Sequence, residues 1–87
     1  MLSAEAFNRL PLPRRWAILE DYGTHLHLVR FSGRRQLNLF ALDSFYCEVS
    51  YNADLDKLLG AQAFRVEDAR LDQYLQDVNI AGLLAGV

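Results

Sequence analysis

The chain has 87 residues, 52% of them apolar, with a formal net charge of −2 and a pI near 5.5. That length makes one domain, residues 1–87, with a modest core, and the apolar fraction argues against disorder. No run of about 18 apolar residues suggests a membrane span, the acid at Glu5 and the missing basic start argue against a signal peptide, and the acidic balance argues against a dedicated nucleic-acid binder.

The first predicted element is a short helix from Ala4 to Leu10, capped by Ser3, with Phe7 and Leu10 on one face. Pro11 and Pro13 break it, and Pro13 suits the first turn of a second helix, Arg14 to Tyr22. Trp16 and Leu19 form one stripe there, Ile18 and Tyr22 an adjacent one. Gly23 is the expected left-handed stop.

Thr24 to Ser32 reads as a strand. Leu26 and Leu28 point one way, and His25, His27, Val29 and Phe31 the other, so it is either buried on both sides or bulged. Ser32-Gly33-Arg34-Arg35 is a turn, with Gly33 free to take positive φ. Gln36 to Leu42 is the second strand, and Asp43-Ser44 connects it tightly to the third. Ser44 to Tyr51 is the densest run of β-formers. Phe45, Cys47, Val49 and Tyr51 fall on one face, and Tyr46, Glu48 and Ser50 on the other, the mark of a half-buried strand. Cys47, the single cysteine, reads as a small buried hydrophobe in a reducing, cytoplasmic setting.

Asn52 to Asp56 is a turn of hairpin length. Lys57 to Val66 reads as a fourth strand with Leu59, Ala61 and Ala63 on one face, although the spacing of Leu55, Leu58, Leu59 and Gln62 also fits a helix. Glu67 and Asp68 open a last helix, Ala69 to about Asp77, with Leu71, Tyr74, Leu75 and Val78 as its apolar stripe. The tail, residues 80–87, is almost wholly apolar; it is either docked on the domain or free to bind a partner.

Several blocks then look familiar. Gly23-Thr24 opens a strand, Asn38 to Leu42 is followed by Phe45 to Tyr51, and Ala63-Phe64 and Tyr74-Leu75 come after. Together they resemble a family of small bacterial proteins, of Bacteroidota type, with no known activity. Its blocks read roughly GT-aromatic-L, LY-x-L-x-x-F-(F/Y)-V-E-(V/L)-W-Y, I-x-x-F and P-Y-L-E. This chain departs from them at His25, Phe40, Cys47, Ser50 and Gln73. The resemblance covers about residues 19–80, implies the hairpin reading of 44–66, and assigns no functional residue.

The fold expected is α+β: an antiparallel meander of three or four strands, short N-terminal helices, and a C-terminal helix packed on one face. If the helices cover one side only, the other face is open, and Phe40, Tyr46 and either Phe31 or Leu28 are its candidates. An open apolar face is usually an interface. The leading expectation is therefore a non-enzymatic interaction module, a homodimer or a binder of a protein partner, joined through a sheet face or edge.

The alternative is an accessory nucleic-acid binder using Arg30, Arg34 and Arg35 around the turn beside Phe31. The charges are uneven along the chain: residues 1–42 hold six arginines against three acids, and residues 43–87 three cations against eight acids. A third reading makes His25 and His27 metal ligands, as an H-x-H on a strand with Asp43 or Glu48 as further donors. Glu48 is otherwise expected to face solvent opposite Arg65. No Walker loop, G-x-G-x-x-G, H-E-x-x-H or C-x-x-C is present, so no cofactor and no catalytic residue is assigned.

Overall fold

The computed structural model describes residues 2–52, 54 and 57–75. Helix α1 spans Ala4–Asn8 and α2 spans Leu12–Tyr22. Strands β1 (Thr24–Ser32), β2 (Arg35–Leu42), β3 (Phe45–Asn52) and β4 (Lys57–Phe64) pair antiparallel in the order β1-β2-β3-β4. A last helix, α3, runs from residue 69 and is described to residue 75. The expected α+β meander stands, with a strand and not a helix in its fourth position. That strand ends at Phe64, before Val66. The expected end of α3 near Asp77 and the apolar tail 80–87 lie outside the described residues.

The hairpin turns follow from local chemistry. Both early hairpins use two-residue loops with the positive φ on the first residue: Gly33 at 62° and Asp43 at 54°. Loops of this length match the right-handed twist of their strands only with such a residue. Ser3 caps α1 as expected, its Oγ accepting from the Ala6 N–H at 3.0 Å. Gly23 ends α2 for a different reason from the one expected. Its φ of −80° and ψ of 151° are extended, not left-handed. A Cβ there would sit 2.7 Å from the Leu19 carbonyl oxygen, so close approach and not chirality requires glycine.

The alternation in β3 sets two layers on the sheet. Phe45, Cys47 and Val49 face α1 and α2 and join Phe7, Leu19, Phe40, Leu42, Ala61 and Ala63 in the larger core. On this side Phe7 packs against Phe45, and Trp16 stands edge-on to both Phe40 and Tyr51. Leu39 and Phe64 face the opposite way and meet Leu71 and Tyr74 of α3, with Leu26, Leu28, Leu37 and Tyr46 packed around them. Helices therefore cover both faces. The expectation of one open face is corrected: the N-terminal helices take one side, and α3 takes the other because its Leu71 and Tyr74 fill the space over Leu39.

Two irregularities interrupt the ladder. In β1 the register slips between His25 and Val29, with His27 at φ 57°, while Leu26 and Leu28 keep the shared face that alternation gives them, that of α3. In β4 it slips between the partners of Ser50 and Tyr51. Leu59 is left exposed there, while Ala61 and Ala63 stay buried as predicted.

Candidate functional site

The three interface candidates do not share a surface. Phe40 is only 8% exposed and lies under Trp16 and against His25, so it belongs to the core. Tyr46 is half-buried on the α3 side, stacked on Phe64 with centroids 6.2 Å apart. Phe31 is different. It is 71% exposed, near Val29 at 40%, on the outermost strand. The register places Val29 and Phe31 on the same side as Asn38 and Gln36, that of the N-terminal helices.

The two edges of the sheet are treated differently. On β4, the Asn8 side chain imitates a neighbouring strand. Its Oδ1 accepts from the Ala63 N–H at 2.8 Å, and its Nδ2 donates to the Ala63 carbonyl at 2.9 Å. The Arg15 guanidinium donates to the Ala61 carbonyl at 2.7 Å, and also to the carbonyls of Leu10 and Asn8. Backbone groups of Ala61 and Ala63 that would help to template another strand are thus occupied. On β1, among the described residues, nothing pairs with the outer side. Beyond the bulge, Val29 to Ser32 pair regularly with β2 and carry Val29 and Phe31 at that edge.

The arginines of the alternative reading have separate neighbours. Arg30 faces α3, where it lies 5.4 Å from the centre of the Tyr74 ring and donates to Gln73 Oε1. Arg34 is exposed, 3.8 Å from Asp54. Arg35 lines an open groove of about 550 Å³ with Ser32, Glu48, Ser50, Gly60 and Gln62.

Glu48 does not meet Arg65, which pairs instead with Glu5. Its Oε2 accepts from the buried Tyr74 hydroxyl at 2.8 Å. Burial, and then the Glu48 hydrogen bond, push the Tyr74 phenol well above its ordinary value. Beside this pair, Arg70 lies over the Phe64 ring at 4.7 Å and grips Asp68 with two nitrogens. The Asp68 carboxyl is held down at about 2, by the Arg70 side chain first and its backbone N–H second. Cys47 is fully buried, and that burial pushes its thiol up to about 12, which makes it unreactive at neutral pH.

The histidines do come together. The Nδ1 atoms of His25 and His27 face each other at 3.2 Å, and the His27 backbone N–H lies 3.2 Å from His25 Nδ1. Asp43 and Glu48 do not join them: among the described residues no group of three or more His, Cys, Asp or Glu side chains is assembled. No helix among those residues is long and apolar enough to cross a membrane.

Sequence reasoning missed the edge contacts of Asn8 and Arg15 and the hydrogen bond of Tyr74, which it read only as part of an apolar stripe. Their partners lie 55, 46 and 26 residues away, and no local spacing announces them. No protein-family model, no curated protein and no solved structure matches the chain.

Proposed function

We propose that this protein is a non-enzymatic interaction module that self-associates through the β1 edge. The observation that carries this reading is the contrast between the two edges. Asn8 and Arg15 occupy backbone groups of β4, whereas Val29 and Phe31 stand exposed on β1. A free strand edge offers hydrogen-bonding groups to another strand, and adjacent apolar side chains add burial. A second copy suits such an edge. Two β1 strands laid antiparallel about a twofold axis present the same residues to each other. Both sheet faces already carry helices, which favours the edge over a face.

The reading is tested by sedimentation equilibrium on the wild type and on a Val29→Lys, Phe31→Lys variant. Both side chains are exposed, so the monomer fold tolerates the change, and lysines on an edge oppose pairing. The expected result is a wild-type dimer and a folded monomeric variant. A monomeric wild type, or a dimer that survives both lysines, overturns the reading. So does salt-sensitive nucleic-acid binding that is lost in an Arg34→Glu, Arg35→Glu variant, because that outcome moves the function to the arginine turn.

A further inference from the structure

The bulge in β1 has a chemical consequence separate from the strand edge. In a regular strand, residues two apart have Cα atoms about 6.5–7 Å apart and parallel side chains. His27 departs from that geometry with φ 57°, a conformation uncommon for a residue with a side chain. The slip between His25 and Val29 turns its ring back toward His25. The ring centroids then stand 4.6 Å apart at 80° to each other, with the two Nδ1 atoms 3.2 Å apart.

We propose that His25 and His27 chelate one divalent transition cation of the zinc or copper class through their two Nδ1 atoms. Two imidazole nitrogens bound to one tetrahedral zinc, each about 2.0–2.1 Å from it, lie about 3.3 Å apart. The observed separation of 3.2 Å is close to that value, so the two nitrogens need little relative movement to share an ion. Neutral imidazole nitrogen suits zinc, copper and nickel and does not suit magnesium or calcium. The His27 N–H donates to His25 Nδ1, which leaves the ring proton on Nε2 and turns the one Nδ1 lone pair toward His27. A cation takes over that lone pair by displacing this exposed hydrogen bond of 3.2 Å.

Access and rigidity also fit. His27 is exposed, and the half-buried His25 ring is steadied edge-on against Phe40 at 4.8 Å. One ring is anchored and the other is open to solvent. The described residues supply these two nitrogens and no third His, Cys, Asp or Glu. The remaining positions on the ion are thus left to water or to a donor group of a bound molecule. That makes the pair an exchangeable site of modest affinity, unlike a closed structural centre.

The experiment titrates the metal-free 87-residue chain with Zn²⁺ alone in a non-chelating buffer, with native mass spectrometry for uptake and ¹⁵N-detected imidazole spectra for the ligating atom. It compares the wild type with His25→Phe, which keeps ring packing on Phe40 without nitrogens, and with His27→Asn, which tolerates positive φ. Running the same titration on Phe31→Lys, which leaves the histidines untouched, separates this proposal from self-association. The expected result is one ion per histidine pair, Nδ1 shifted on both rings, loss of uptake in both histidine variants, and retained uptake in Phe31→Lys. No uptake by the wild type overturns the proposal and leaves a simple imidazole–imidazole hydrogen bond. Uptake that persists in either histidine variant, or coordination through Nε2, overturns it as well.

Discussion

The Glu48–Tyr74 hydrogen bond is one of the polar contacts that fasten α3 to the sheet, beside that of Arg30 with Gln73. Tyr74 is 1% exposed, so its hydroxyl has no water to fall back on, and Glu48 supplies the acceptor at 2.8 Å. Removing the donor leaves a half-buried carboxylate short of a partner, and that loss outweighs the small gain from a more apolar ring. Tyr74→Phe is expected to destabilise the fold by about 1–2 kcal/mol, read as a lower urea midpoint at unchanged slope. An unchanged midpoint would mean that the Tyr74 hydroxyl does not help to hold α3, which leaves its apolar stripe and the Arg30 contacts. At the start of the same helix, Asp68 accepts from the Arg70 N–H at 2.9 Å while the Arg70 guanidinium holds both its oxygens. Its carboxyl titrates at about 2 in the folded chain, below its unfolded value of about 3.9. A lowered folded value contributes stability above the unfolded one and loses it as pH falls toward the folded one. Between about pH 5 and pH 2 the wild type should therefore lose stability more steeply than Asp68→Asn, which keeps a capping side chain but carries no titrating charge. Parallel pH profiles of melting temperature for the two proteins would remove Asp68 from the account. The effect is modest, because the Asp68 side chain is 32% exposed and solvent screens the pair.

At the scale of elements, the strands were legible because their information is local. Phe45, Cys47 and Val49 alternate with Tyr46, Glu48 and Ser50, and a pleated strand can satisfy that pattern in only one register. The two-residue loops at Gly33-Arg34 and Asp43-Ser44 were legible for the same reason. The side on which each helix packs was not. Leu71 and Tyr74 declare an apolar face, but a stripe on α3 does not say which face of a four-stranded sheet it will meet. Nor could the sequence place Phe40. It reads as one member of an alternating strand, and only the position of α2 puts Trp16 over it. The histidine pair was half legible. The H-x-H spacing was visible, but a regular strand holds such rings apart, and the positive φ at His27 that joins them leaves no mark in the residue types. Asn8 and Arg15 were illegible altogether, because an asparagine ending a five-residue helix has no local reason to replace a strand.

Among the described residues, side chains cap backbone groups on the β4 edge of the sheet and none caps the β1 edge, an asymmetry that bears on how the proposed module assembles. A sheet with a single free edge forms a closed twofold pair and stops, whereas two free edges allow open-ended addition of strands. Asn8→Ala with Arg15→Ala removes the side chains that cap Ala61 and Ala63 and so creates the second free edge. If the proposed β1 dimer forms, the expected outcome is growth beyond it, measured by light scattering at increasing concentration. Destabilisation by itself also promotes aggregation, because Arg15 and Asn8 support the packing of α1 and α2 as well. Tyr74→Phe provides the comparison: it weakens the fold while leaving both edges as they are. If edge blocking governs assembly, the Asn8, Arg15 double variant forms large species while still folded by circular dichroism, and Tyr74→Phe does not. Adding Phe31→Lys to the double variant should then shorten those species, since β1 is the other end of each step. Equal aggregation in the double variant and Tyr74→Phe would reduce Asn8 and Arg15 to helix supports. The β1 edge, which no described residue covers, would then need another explanation for its two exposed apolar side chains.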